Sequence, residues 1–383
     1  TPIKSSAASD VYKRQIIHCA DIHLDSALSA HLGRERARGR RNEILNTFRK
    51  IFGYAAENDV QAVIIAGDLF DSETVSATTI NVVLGEIAKY ADIDVFYLRG
   101  NHDPDESLFA GRRLPENLYL FGDEWTQYQL KGSHIVIAGA VLNDENCNSI
   151  YDELELDEND INIVTLHGQE QEYGRARNMN DVCLKKLRGR GIDYLALGHV
   201  HGRKLESLDH RGVYCYPGCL EGRGFDECGE HGFMMLDVDE RKHMVETEFV
   251  PFAYRRLFDV EVDVTGAESS SDAADMIADR LYQELPGTME DESRDMVRVS
   301  LTGAVNVESE INTDYLTKQF QDSFYYMEIL DHTDFQVDYM RYVNDASLKG
   351  EFVRKVMRQD MSENDKAYVI QTGLRALSGE EIF

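Results

Sequence analysis

The sequence predicts an α/β fold in which two facing sheets are flanked by helices. Three observations predict it. Short apolar runs alternate with amphipathic helical stretches between Ile16 and Leu98. The section from Tyr128 to Val250 is instead rich in short strand-like segments. Five of the apolar runs stop at, or just before, an Asp, Asn or His.

In chain order, residues 16–20 read as a first buried strand that ends at Asp21. Residues 40–58 place Ile44, Leu45, Phe48, Ile51 and Phe52 on one face of a helix. Residues 62–66 (AVIIA) are apolar throughout, as in a strand covered on both sides. A second helix over 76–90 and a third strand over 95–98 complete a strand–helix alternation. Residues 128–130 and 134–140 form a hairpin pattern around Lys131-Gly132-Ser133, and further strands fall at 161–166, 192–197, 213–216, 232–238 and 247–250.

Near residues 251–256 the character changes. Residues 257–264 alternate apolar with polar; a helix (271–285), a strand (296–301), a helix (314–320) and a strand (326–330) follow. From about Ser347 two helices are expected, joined near Ser362-Glu363, where Ser362 has N-cap character. Residues 1–15 are small and polar without periodicity, and read as a non-native or disordered leader.

At 383 residues and 43% apolar content, the chain is long enough for two or three domains with real cores. No run approaches the ~20 apolar residues that cross a bilayer, and no signal peptide pattern opens it, so a cytoplasmic protein without membrane contact is expected. Cys19, Cys147, Cys183, Cys215, Cys219 and Cys228 include no CxxC pair, which points to reduced thiols rather than a structural zinc site. The net charge of −29 repels nucleic acid at long range, so a DNA substrate would need bound cations, local basic patches or a partner.

Five segments carry chemistry: Asp21-Ile22-His23, Gly67-Asp68-Leu69-Phe70-Asp71, Gly100-Asn101-His102-Asp103, His167-Gly168 and Gly198-His199-Val200-His201. Each starts where an expected strand stops, the place where loops of α/β folds converge on ligands. Carboxylate, imidazole and amide oxygen together suit Mn, Fe or Zn better than Ca. Asp68 is the candidate bridge between two cations; Asp21, His23 and His201 would complete one site, and Asn101, His167 and His199 the other. Such a pair polarises a phosphoryl group and activates water near neutral pH. His102 would protonate the leaving group or hold transition-state charge, with Asp103 orienting it.

These segments are identified as those of the calcineurin-like metallophosphoesterase superfamily, whose ordered signature is DxH, GDxxD, GNH[DE], H and GHxH, intact here over Asp21–His201. Beyond it, Ile16–Leu24, Tyr216-Pro217-Gly218 with Glu221–Phe225, and the segments Leu348–Phe352 and Gly373–Leu377 resemble DNA repair exonucleases of the SbcD type, in their YhaO-like branch. The resemblance implies a four-layer α-β-β-α metallophosphoesterase sandwich (16–253), a smaller α/β capping domain (254–335) and C-terminal partner-binding helices (336–383). It further implies two divalent metal ions, most readily Mn2+, a DNA exonuclease and endonuclease activity, and an SbcC-like coiled-coil ATPase as partner; a homodimer is compatible with it. Arg34, Arg36, Arg38, Arg40 and Arg41 form the one dense basic cluster. Arg40, Arg41 and Arg223 are the candidates for DNA contact, against the alternative of a solvated helix start for the cluster. Two other functions stay open: a small-molecule phosphodiesterase or phosphatase of the same superfamily, and a non-catalytic binding module.

Overall fold

The computed structural model describes residues 13–28, 32–71, 75–104, 106–285 and 295–378. The chain forms two compact units, one up to Tyr254 and one from Arg255. The first contains β1 (Lys13–Cys19), α1 (Arg34–Glu57), β2 (Ala62–Ala66), α2 (Ala77–Lys89), β3 (Asp94–Leu98), β4 (Leu118–Leu120), β5 (Thr126–Gln129), β6 (Ile135–Gly139), β7 (Ile161–His167), β8 (Gln169–Gln171), β9 (Asp181–Cys183), α3 (Leu184–Leu187), β10 (Tyr194–Gly198), β11 (Lys204–Ser207), β12 (Val213–Tyr216), β13 (Gly232–Asp239) and β14 (Met244–Pro251).

Two six-stranded sheets result, ordered β14-β13-β1-β2-β3-β4 and β11-β12-β10-β7-β6-β5. Strands β1, β2 and β3 are parallel neighbours, as are β7 and β10, so their carboxyl ends gather at one edge of each sheet. Side-chain alternation divides the strands between layers. Ile16, Ile64 and Phe96 meet Ile137, Ile163 and Tyr194 in a core between the sheets. On the outside of the first sheet, Val63, Ile65 and Val95 pack against Phe48, Ile51 and Phe52 of α1 and Val83 of α2. The outer face of the second sheet is covered more sparsely, Leu195 and Leu197 sharing a core with Leu184 and Leu187 of α3 and with Tyr151. A layered α/β architecture with the expected order of strands is therefore present, although its fourth layer is built from a four-residue helix, a 3-10 turn and loops.

Two differences from expectation have clear causes. Lys13, Arg14 and Gln15, read as part of a leader, belong to β1 and pair with Asp239, Val238 and Asp237. Polar residues there suit the partly exposed start of a strand, and Gln15 Nε2 donates to Asp237 Oδ1 at 2.7 Å. Residues 1–12 of that leader lie outside the described residues. Helix α1 also begins at Arg34, earlier than its apolar stripe suggests, because the inward positions of its first turns are Ala37 and a buried Arg40.

The second unit contains β15 (Leu257–Asp263), α4 (Ser270–Glu284), β16 (Met296–Thr302), β17 (Ala304–Asn306), α5 (Thr313–Phe320), β18 (Tyr326–Asp331), β19 (Asp334–Gln336), α6 (Tyr339–Val343), α7 (Leu348–Met357) and α8 (Glu363–Leu377). Strands β15-β16-β18 form a parallel sheet that buries Val260, Val299 and Ile329 against Ile277 and Leu281 of α4 and Leu316 of α5. The C-terminal helices fold within this unit: Val353 and Ile370 share a core with Val307 and Val337. Ser362 caps α8 by accepting from Asp365 N.

Candidate metal centre

Backbone geometry brings the motif residues together first. The segment after β1 lies along the segment after β2, with Asp21 N donating to Gly67 O and both Ile22 N and His23 N donating to Asp68 O. The turns are tight enough that Asp21, His23, Asp68 and His199 all have positive φ, a conformation L-residues adopt at a cost. Gly100 allows the close approach of the third loop, since a Cβ there would meet the Asp68 carboxylate. The second sheet joins through His167, whose Nδ1 lies 2.9 Å from Ala66 O. A carbonyl only accepts, so Nδ1 carries the proton and Nε2 faces the site. His199 N donates to both oxygens of Asp21, at 2.9 and 3.0 Å.

The result is two groups of donor atoms around one carboxylate. Ligand atoms of Asp21, His23 and His201 lie within 4.8 Å of one another, as do those of Asp68, His167 and His199. Asn101 Oδ1 is 3.0 Å from His167 Nε2 and 2.9 Å from His199 Nδ1, which places it in the second group. Asp68 Oδ2 is 3.7 Å from His23 Nε2 and 3.4 Å from His167 Nε2, so it reaches both groups. Its partner oxygen Oδ1 accepts from His102 N at 2.8 Å. Oδ2 is buried with no hydrogen-bond partner.

These residues fit a pair of divalent cations. His23 Nε2 and His201 Nε2 approach to 3.3 Å while Asp68 Oδ2 stands beside them unpaired. Converging lone pairs repel one another unless a proton or cation lies among them, and a buried unpaired carboxylate oxygen is costly. Without metal, protons partly fill this role. Burial lowers the His167 pKa, but the Asp68 carboxylate, 3.4 Å away, and the charge of Asp21 outweigh it and push it up to about 9. Burial holds His23 down to about 2 and raises Asp21 to about 6.

All seven expected ligands thus gather at one rim, while Asp103, Arg40 and Arg223 make contacts other than those expected. Asp103 does not face His102: its buried carboxylate accepts from Phe70 N at 2.7 Å and Gly100 N at 2.8 Å, fastening the loops. The carboxylate near His102 is Asp71, whose ligand atom lies within 4.8 Å of those of His23 and His102. Asp71 closes the Gly67–Asp71 segment, and its place in that motif is the sequence signal for it. Arg40, expected at DNA, is 1% exposed and donates to Glu221 at 3.1 Å, Gly222 O at 3.0 Å and Glu43 at 2.7 Å. Its charge is consumed in the core. Arg41 is half-buried, with Nη1 donating to Ala27 O at 2.9 Å. Arg223 turns toward the centre rather than outward, its Nη2 donating to Glu227 at 2.8 Å. Glu227, which the sequence reading passed over, is 2.7 Å from His201 Nδ1.

Residues 14–203 match the calcineurin-like phosphoesterase family. The chain is similar to an uncharacterized metallophosphoesterase, YhaO, of Bacillus subtilis, at 27% identity covering 69% of this chain and 66% of that one. It is also similar to the DNA double-strand break repair protein Mre11 of Methanopyrus kandleri (25% identity; 66% of this chain, 60% of that one). The same protein of Aeropyrum pernix is 23% identical, covering 74% of this chain and 72% of that one. The matches to the first two span less than two thirds of those relatives' own length. The matched region contains both ligand groups and the carboxylate they share, a dimetal arrangement, and residues 14–203 of the chain are a calcineurin-like phosphoesterase domain.

Proposed function

We propose that the chain is a divalent-metal-dependent phosphodiesterase that cleaves DNA, with Mn2+ as the preferred ion and Fe or Zn as alternatives. The observation that carries the phosphodiesterase reading is the single buried Asp68 Oδ2 reaching two complete ligand groups. DNA as substrate draws support from the Mre11 relatives. Their alignments cover 66% and 74% of this chain, more than the matched region of residues 14–203.

When bound, two cations polarise a phosphoryl group and make a water nucleophilic near neutral pH. Asp21, Asp68, Asn101 and the histidines would hold them at the rim. His102 is exposed there, its ring centroid 5.0 Å from that of His23. It is placed to give a proton to the departing oxygen or to hold charge on the phosphoryl group, with Asp71 beside it. Arg34, Arg36 and Arg38 lie exposed on the first turns of α1 and supply local positive charge for phosphates.

A coiled-coil ATPase of the SbcC type is the proposed partner. Support comes from the C-terminal helices, where Met340, Val343, Leu348, Met361, Tyr368 and Leu377 are all exposed. Among the described residues, six of the ten exposed large apolar side chains fall in this short segment, a concentration typical of interaction surfaces. Digestion of end-labelled duplex DNA beside a chromogenic phosphodiester, with Mn2+ and then with chelator, tests the function. Metal-dependent loss of the DNA label is expected; turnover of the small ester alone would favour a small-molecule phosphodiesterase.

A further inference from the structure

We infer that Glu227, braced by Arg223, is a positioning residue that fixes the His201 ring for one of the two cations and thereby sets the affinity of that site alone. The inference rests on the dimetal reading of the centre but not on DNA as the substrate.

Glu227 Oε1 is 2.7 Å from His201 Nδ1. A carboxylate accepts and does not donate, so the proton sits on Nδ1 and the lone pair on Nε2. Nε2 is the atom that points to His23 Nε2, 3.3 Å away, in the group with Asp21. Arg223 Nη2 lies 3.1 Å from the same Nδ1, but a guanidinium only donates, so it cannot bond there once Nδ1 carries its proton. Its bonds are those to Glu227, from Nη2 at 2.8 Å and from its backbone N–H at 2.7 Å.

The rest of the loop holds Glu227 in place. His231 Nε2 is 2.9 Å from Glu227 O, which makes Nε2 the donor and leaves Nδ1 to accept from Cys219 Sγ at 3.2 Å. Cys219 N in turn donates to His201 O at 3.1 Å. Glu227, His231 and Cys219 are all buried. The loop therefore grips His201 at its backbone and at its ring.

The two cation sites differ in this respect. His167, in the other group, is held at Nδ1 by the neutral carbonyl of Ala66. Among the described residues, His201 is the ligand histidine whose ring is hydrogen-bonded from behind by a carboxylate, an arrangement that orients a ligating imidazole and raises its basicity. Loss of such a partner costs metal affinity by about 10–100-fold.

The test uses the full chain and the metal alone. Calorimetric titration with Mn2+ is expected to show two sites in the wild type. In Glu227→Gln one of them weakens by about 10–100-fold while the other is unchanged. Long-range 15N–1H NMR of the metal-free protein at alkaline pH should show the His201 proton on Nδ1 in the wild type and a mixed tautomer in the variant. Arg223→Lys, which keeps the charge and loses the fork, should weaken the same site by a smaller factor and serves if Glu227→Gln does not fold. Two unchanged sites and an unchanged tautomer in whichever variant folds would overturn the inference, as would equal weakening of both sites. A wild type that takes up two cations and leaves DNA intact would count against the nuclease reading only.

Discussion

Asp68 gathers more constraints than any other residue in the site. Its Oδ1 is tied to the backbone N–H of His102 and its Oδ2 is left to face both ligand groups, so one oxygen, rather than two, is available to bridge. Asp68→Ala is expected to abolish turnover and reduce metal content below two per chain; unaltered stoichiometry by elemental analysis would contradict the bridge. His102 reaches Asp68 through its backbone N–H, which alanine keeps, so His102→Ala should keep both ions while turnover falls by ~10²-fold or more. Asp71 joins His102 here and Asp103 does not, a distinction that neighbouring positions in a motif cannot convey. Which way a side chain leaves a turn depends on φ at the preceding residues, and those are set by packing. Proton linkage gives a third prediction at this scale. His167, raised to about 9, is protonated at neutral pH in the metal-free chain, and Asp21, raised to about 6, is protonated below that. Metal must displace these protons, so affinity rises with pH, by about tenfold per unit for each displaced proton below its pKa. Calorimetry at pH 6 and pH 8 in buffers of different ionisation enthalpy would show proton release; pH-independent affinity would refute it.

Elements repeat the lesson. Strands β1, β2, β3, β7 and β10 were legible because each contains a buried apolar run, and their carboxyl ends were legible because a polar ligand lies at or shortly after each, whereas the polar start of β1 was not. The short pairs β8–β9 and β17–β19 carry no such run; they form because the surrounding chain places them side by side. In the loop of residues 217–231 the resemblance reaches Phe225, two residues short of Glu227, because a buried ion network leaves no periodic trace. Arg40 misled for the same reason. A charged residue on an expected helix face reads as solvated, yet its guanidinium binds Glu221, which also accepts from Thr47 Oγ1 and from Tyr254 N. That network fixes α1 to the chain just before the Glu227 loop. Arg40→Ala leaves the Glu221 carboxylate buried without its cation and is expected to cost about 3–5 kcal/mol. Arg38→Ala, exposed on the same helix, should stay within about 0.5 kcal/mol. Calorimetric unfolding of both variants checks the contrast, and equal effects would place Arg40 at the surface instead.

For the whole molecule, charge and proposed substrate pull in opposite directions. A net charge of −29 repels a polyanion over distances set by the screening length, while the arginines at the start of α1 act only near contact. Salt separates the two, because the screening length falls from ~30 Å at 0.01 M to ~10 Å at 0.1 M. Across that interval the long-range repulsion is removed and short-range phosphate contacts largely survive. Above it, counterion competition weakens the contacts themselves. DNA cleavage by the isolated chain at saturating Mn2+ should therefore pass through a maximum near 0.1 M salt, whereas hydrolysis of a small chromogenic phosphodiester should stay nearly flat. Replacing Arg34, Arg36 and Arg38 by Ala should lower the maximum without changing the small-ester rate, since none of these residues belongs to either ligand group. A partner that supplies a cationic surface would shift the optimum to lower salt, because attraction would then dominate at long range as well. A DNA cleavage rate that falls monotonically from the lowest salt in the isolated chain would mean that local attraction outweighs the acidity of the whole molecule at every distance.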